Sequence, residues 1–428
     1  MPPLKLEPLN NYETSSMRAF FIFNPTFGLL EEEHYKKIIY YHPADAEPTM
    51  QQNNVGICEA LINLTKNFTA TKCDFMKTKK ARWTFYSPET NYWMILITQN
   101  PCADKKDANT TSGDSVGLGT SQILKKMYQQ YRLFNGSFER TLKSKGGKAE
   151  LFRTVSAGFS EIVERVDVED FDILETLNGV SFLYLSAFDY LRTVNCMHTI
   201  ESKFDAIKYS LCLYKEYVMW TGLQRNETKV LYQFWRDMQH KITETFTHGF
   251  DTLQDGSNTT APTIYIGEQD DPYKLVVYYD MHVALIFLVS PQDVSKALYE
   301  DLKEALQPRL EFLSNLGNQH IGQAAFEGFL YIYVNKINLL LETSLEPRTL
   351  ELNRYVNNIL LDMHEELEGG VNGVIGEYVK IYNNVWIVGQ RNDYKEFYVI
   401  LKNAKSLDSA FKQAKYLSRY KFQSAFMS

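Results

Sequence analysis

Gly113-Asp114-Ser115-Val116-Gly117 carries the G-x-S-x-G spacing, in which a serine on a tight strand-to-helix turn can become an acyl-transfer nucleophile. That chemistry needs a strand immediately before the serine and a helix immediately after it. The flanks here, Asn109-Thr110-Thr111-Ser112 and Leu118-Gly119-Thr120, read as a polar, Gly/Ser/Thr-rich loop over 102–120, so only the spacing matches. Gly146-Gly147-Lys148 lacks the length of a phosphate-cradling loop. The histidines are scattered without an H-E-x-x-H, and His364-Glu365-Glu366 falls near a helix end, where it reads as solvated. Glu31-Glu32-Glu33 and Asp270-Asp271 lack the alternation of a calcium loop. Cys58, Cys73, Cys102, Cys196 and Cys212 are odd in number and show no C-x-x-C, the usage of a reducing compartment. No catalytic residue, no metal site and no cofactor is expected.

The charge balance narrows the partners. A net charge of −7 argues against nucleic acid, whose phosphates need a basic face. The basic runs at 77–82 and 143–148 read as solvated loops, with contact to an anionic membrane surface as the alternative. The N-terminus has no apolar run of signal-peptide length, and the strongest apolar run, 283–289, is far short of a bilayer span. A cytosolic chain is expected, with any membrane association peripheral.

The elements repeat. Two apolar strands, an amphipathic helix, a strand meander and a closing helix recur at 207–316 and 326–420, with an embellished copy at 17–165. In the first copy the strands fall at 18–23, 37–42, 81–86 and 92–98. Asn24-Pro25, Pro43 and Asn100-Pro101 act as stops. Helices are expected at 53–69, capped by Asn53 or Asn54, and at 121–143 and 148–166, with Asn135-Gly136 a turn or break. The second copy places strands at 206–214, 217–222, 263–266, 274–279 and 281–289, and a helix at 226–244. Its closing helix is expected to open at Ser290-Pro291. The third places strands at 326–335, 337–342, 377–381, 385–390 and 396–401, with helices at 347–368 and 406–419. The expected boundaries are a disordered leader at 1–16, a first domain at 17–166 and a connector at 167–205 bearing a short strand at 180–185. A second domain at 206–317 and a third at 322–428 follow. The fold class is α+β, three ββαβββα units with mixed or antiparallel sheets flanked by helices.

This arrangement resembles the longin fold. Phe20-Phe21-Ile22-Phe23-Asn24-Pro25-Thr26-Phe27-Gly28 and Asn54-Val55-Gly56-Ile57-Cys58-Glu59-Ala60 resemble the Ccz family of vacuolar and late-endosomal fusion proteins. So do Tyr92-Trp93-Met94, Tyr131-Arg132-Leu133-Phe134-Asn135-Gly136, Trp220-Thr221-Gly222-Leu223 and Trp386-Ile387-Val388-Gly389. The resemblance implies a tri-longin subunit that pairs with a Mon-family longin protein to form the guanine-nucleotide exchange factor of the late-endosomal Rab GTPase. It also implies a first longin domain that joins the partner's, and, in animal versions, a third, scaffold-like subunit. The location implied is the surface of the late endosome and lysosome or vacuole. The alternative function is a non-catalytic longin-module adaptor or tether in trafficking.

The 53–69 helix offers the surface such a role needs. At 100° per residue, Ile57, Leu61, Leu64 and Phe68 form one apolar stripe, expected to cover the sheet. Val55, Cys58 and Ile62 form a second, read as a partner contact unless the helices at 121–166 cover it. Glu59, Asn63 and Lys66 form a polar arc, read as a GTPase contact or a solvated face. Tyr92 and Trp93 are open to two readings, core or interface hot spot.

Overall fold

The computed structural model describes residues 16–28, 30–68, 73–99, 116–166, 168, 173–242, 249–251, 261–321, 329–345, 354–369, 376–380, 385–392, 394–401 and 404–424. The leader but for Ser16 and most of the 102–120 loop lie outside these residues. The chain divides into two compact units, 1–176 with 346–374, and 177–345 with 375–428.

The first unit is built on an antiparallel sheet of β1 (Met17–Phe23), β2 (Ile38–His42), β3 (Phe75–Lys77), β4 (Ala81–Tyr86) and β5 (Trp93–Gln99). Its order is β2-β1-β5-β4-β3. Strand β3 was not expected; three residues carry too short an alternation to stand out. The central strands β1 and β5 are apolar at nearly every position because both faces are covered. Alternation sends Phe21, Phe23, Trp93 and Ile95 to one face, where α1 (Pro48–Phe68) packs. Phe20, Ile22, Tyr92, Met94 and Leu96 go to the other. There they meet α2 (Val116–Asn135), α3 (Phe138–Lys143) and α4 (Gly147–Arg165). The expected 121–143 helix thus starts earlier and breaks at Gly136, whose φ of 76° suits glycine. Ser137 Oγ caps α3 by accepting from Arg140 N–H at 3.2 Å. Helix Arg354–Gly369, α9 in chain order, belongs to this unit and packs beside α2.

The second unit holds two sheets with the same strand order as the first. One contains β6 (Ile207–Tyr214), β7 (Tyr217–Thr221), β8 (Gly249–Asp251), β9 (Thr263–Ile266), β10 (Asp271–Asp280) and β11 (Val283–Val289). They run β7-β6-β11-β10-β8, with β9 also pairing along β10. The other runs β13-β12-β16-β15-β14, from β12 (Leu330–Asn335), β13 (Leu340–Thr343), β14 (Gly376–Lys380), β15 (Trp386–Asn392) and β16 (Lys395–Leu401). Between α5 (Ile173–Leu177) and α6 (Ala187–Lys203) the connector runs along both sheets. Val180 N–H donates to Leu339 O and Val180 O accepts from Leu341 N–H; Ser181 O accepts from Val218 N–H and Leu183 N–H donates to Val218 O. The short strand expected at 180–185 is therefore a bridge that occupies the outer edges of β7 and β13.

Helix α7 (Arg225–Ile242) follows β7, and α8 (Lys296–His320) packs with α6 on the β6–β11 sheet. The closing helix does not open at Ser290-Pro291. That pair makes a turn, with Asp293 N–H donating to Ser290 O, and Ser295 Oγ is the cap, accepting from Leu298 N–H at 3.2 Å. Helix α10 (Leu407–Ser424) lies on β15 and β16.

Candidate interaction surface

Helix α1 begins at Pro48, ahead of the expected caps Asn53 and Asn54. Proline suits the first helical position, where its missing N–H has no helical acceptor. Asn54 is therefore inside the helix, and its Nδ2 donates to Tyr41 Oη at 2.8 Å on β2. One turn on, Lys37 Nζ donates to both carboxylate oxygens of Glu59, at 2.9 and 3.0 Å. These two ties lock the rotation of α1 over the sheet.

That rotation reverses the two apolar stripes. Val55, Cys58 and Ile62, expected to meet a partner, are buried against Phe21, Phe23, Tyr41, Phe85 and Trp93. The facing strands supply large rings, so the space left beneath the helix suits short side chains. Burial pushes the Cys58 thiol well up, which leaves it an inert core group. These three residues are covered by the chain's own sheet and offer nothing to a partner.

The stripe expected to cover the sheet faces outward instead. Ile57 is 45% exposed, Leu64 53% and Phe68 79%, while Leu61 is half-buried. Gly56 and Ala60 are exposed beside them, and a Cβ added at Gly56 would meet nothing within 4 Å. The helices of 121–166 do not cover this stripe, because α2–α4 pack on the opposite face of the sheet. Of the polar arc, Asn63 and Lys66 are exposed, while Glu59 is held by Lys37. The result, among the described residues, is an exposed apolar strip bordered by a small polar arc.

Tyr92 and Trp93 are both core, on opposite faces. Tyr92 packs edge-on to Phe27, with ring centroids 6.3 Å apart, and at 5.1 Å from Phe138. Neither is placed for an interface. Among the described residues, strands β2 and β3 each pair on one side only within their sheet.

Gly113-Asp114-Ser115-Val116-Gly117 falls largely outside the described residues. His364, read as solvated, is in fact buried within α9, 3.9 Å from Glu368, because it points to the packed side of that helix. Among the described residues no three His, Cys, Asp or Glu side chains gather as a metal site would require. No described helix is long and apolar enough to cross a membrane.

Comparison with known proteins matches the three repeats one by one. Residues 17–136 match the family described as the first longin domain of INTU, CCZ1 and HPS4. Residues 207–318 match Intu longin-like domain 2, and residues 327–417 match Intu longin-like domain 3. Over nearly its whole length the chain is similar to proteins named vacuolar fusion protein CCZ1 homolog. The one from Tetraodon nigroviridis is 28% identical over 450 residues, 92% of each chain. That from Danio rerio is 28% identical over 449 residues, again 92% of each. The one from Dictyostelium discoideum is 27% identical over 424 residues, 92% of this chain and 93% of its own.

Proposed function

This chain belongs to the Ccz family of three-longin proteins, and from that premise we propose that it is one half of a Rab guanine-nucleotide exchange factor. The GTPase is the late-endosomal Rab, and the other half is a Mon-family longin protein. The chain is not an enzyme by itself. Exchange needs no nucleophile: a surface that binds the nucleotide-free GTPase more tightly than the loaded one lowers the barrier to release. Activity then belongs to the heterodimer, acting at late endosomes and lysosomes in membrane fusion and autophagy. In animal relatives the assembly gains a third, scaffold-like subunit.

The observation that carries this reading is the outward stripe of α1. Ile57, Leu64 and Phe68 are apolar and exposed, and among the described residues no other helix joins the apolar cluster on that face of the first sheet. A helix apolar on two faces is covered on two faces. The sheet takes one, and a longin domain of the partner takes the other. Gly56 and Ala60 let a second helix approach closely. Asn63 and Lys66 then border the seam, where a GTPase docked across both longin domains would meet them; Glu59 holds that arc in place through Lys37.

Release of labelled GDP from a panel of Rab GTPases tests the reading, with the purified chain alone and with its Mon-type partner. Acceleration only by the pair, on the late-endosomal Rab, is expected. Binding without acceleration would make the protein an adaptor or tether instead.

A further inference from the structure

Helix α10 closes the third sheet on small side chains. Ala410 and Ala414, with Leu417, face Tyr331, Trp386, Val388 and Val399. Trp386 Nε1 donates to Ala404 O at 2.9 Å just ahead of the helix. A helix seated on alanines lies close to its sheet and leaves no room beneath it for large groups. Leu407, Phe411 and Tyr416 accordingly stand outward, Tyr416 at 73% exposure. Opposite the alanine row, at helical spacing, run Lys412, Lys415 and Arg419, all exposed, with exposed Lys405 just before the helix. Asp408 is the sole acid of α10 and pairs with Lys412 at 2.7 Å. Lys415 Nζ lies over the Phe411 ring, 5.3 Å from its centroid. From 402 to 421 the sequence has six basic residues and one acidic residue, in a chain of net charge −7.

The same fold position elsewhere in the molecule acts as a control. Helix α8 closes the second repeat, and its exposed charges are Lys296, Glu300, Asp301, Lys303, Glu304 and Glu311, an acidic surplus. None of its large apolar side chains is exposed. Closing a sheet of this topology thus requires neither a basic ridge nor outward aromatics.

We infer that the outer face of α10 docks on a bilayer of anionic phospholipid. The four cations settle among the headgroups, and Leu407, Phe411 and Tyr416 reach the headgroup–acyl boundary on either side of the ridge. A ridge favours a surface over a peptide, because it offers no groove to fix a strand or helix in register. It also favours charge density over one headgroup, since the cations fan out rather than converge. This surface acts independently of the pairing through α1, so failure of either leaves the other standing.

Co-sedimentation of the full chain with vesicles decides the matter. Three kinds are needed: phosphatidylcholine alone, phosphatidylcholine with phosphatidylserine, and phosphatidylcholine with a phosphoinositide at equal total charge. Binding to both anionic kinds to a similar degree is expected, weakened by salt and absent on the neutral kind. Lys412→Glu with Lys415→Glu and Arg419→Glu should lower binding by roughly 100-fold, about fivefold per cation. The milder set Lys412→Gln, Lys415→Gln and Arg419→Gln should keep the melting profile and still lose most binding. Phe411→Ser with Tyr416→Ser should weaken binding several-fold at every salt concentration. The inference fails if the chain ignores anionic vesicles, binds neutral ones equally, requires the phosphoinositide at matched charge, or binds as well with the cations removed. Binding to polyglutamate but not to vesicles would assign the face to an acidic protein.

Discussion

Gly317 shows how little tolerance the packed repeats have at single positions. It lies in α8 directly above Tyr214 of β6, and a Cβ there would stand 2.2 to 2.5 Å from three ring carbons. Gly317→Ala must push the helix off the sheet, and the hydroxyl of Tyr214 also donates to Asn318 one residue along. A loss of about 1–3 kcal/mol is expected, read as a lower denaturation midpoint. The buried tyrosines of the first repeat set an alkaline limit. Burial, with the carboxylates of Glu139 and Glu89 nearby, pushes Tyr92 up to about 12 from its ordinary 10.0. Burial pushes Tyr128 and Tyr131 higher still, and Tyr128 also donates to Glu89. Above pH 10 the folded chain retains protons that the unfolded chain has lost, so stability falls as pH rises through that window. The tyrosinate absorbance of these buried residues, the last part of the chain's tyrosine signal, should therefore appear together with loss of the fold; full titration of every tyrosine in a still-folded chain would contradict their burial.

At the scale of the element, α1 buries one apolar stripe on the sheet and leaves the other exposed. Two substitutions separate them. Val55→Asp with Ile62→Asp places two unpaired carboxylates under the helix, and a loss of more than about 4 kcal/mol is expected, seen as an unfolded or aggregated chain. Ile57→Asp with Leu64→Asp alters only exposed positions, so the circular dichroism and melting profile should hold while co-purification with the Mon-type partner is lost. Intact co-purification would remove α1 from the interface. Lys37→Ala should leave Glu59 without its partner and loosen the polar arc, lowering exchange by the pair more than it lowers pairing.

At the scale of the whole molecule, one strand order serves three times and is finished differently each time. In the second unit the connector lies along β7 and β13, and Gly179 fits there because a Cβ would come within 2.4 Å of Leu341 Cβ. Among the described residues no such strand lies on β2 of the first sheet. A fluorophosphonate probe should leave Ser115 unlabelled in chain and complex alike. The repeat itself was legible in the sequence because a two-residue alternation, a 3.6-residue periodicity and Asn-Pro or Pro stops are local signals. β1, β5, β11 and β16 need only their own residues to announce buried strands. The α1 stripes were legible as two, yet their direction was not. Which one turns inward depends on the aromatic wall of Phe21, Phe23, Phe85 and Trp93, on Tyr41 holding Asn54, and on Lys37 holding Glu59. These partners are distant in sequence and meet only when the sheet is assembled. Periodicity fixes the angle between two faces of a helix; only packing chooses the face that meets the core.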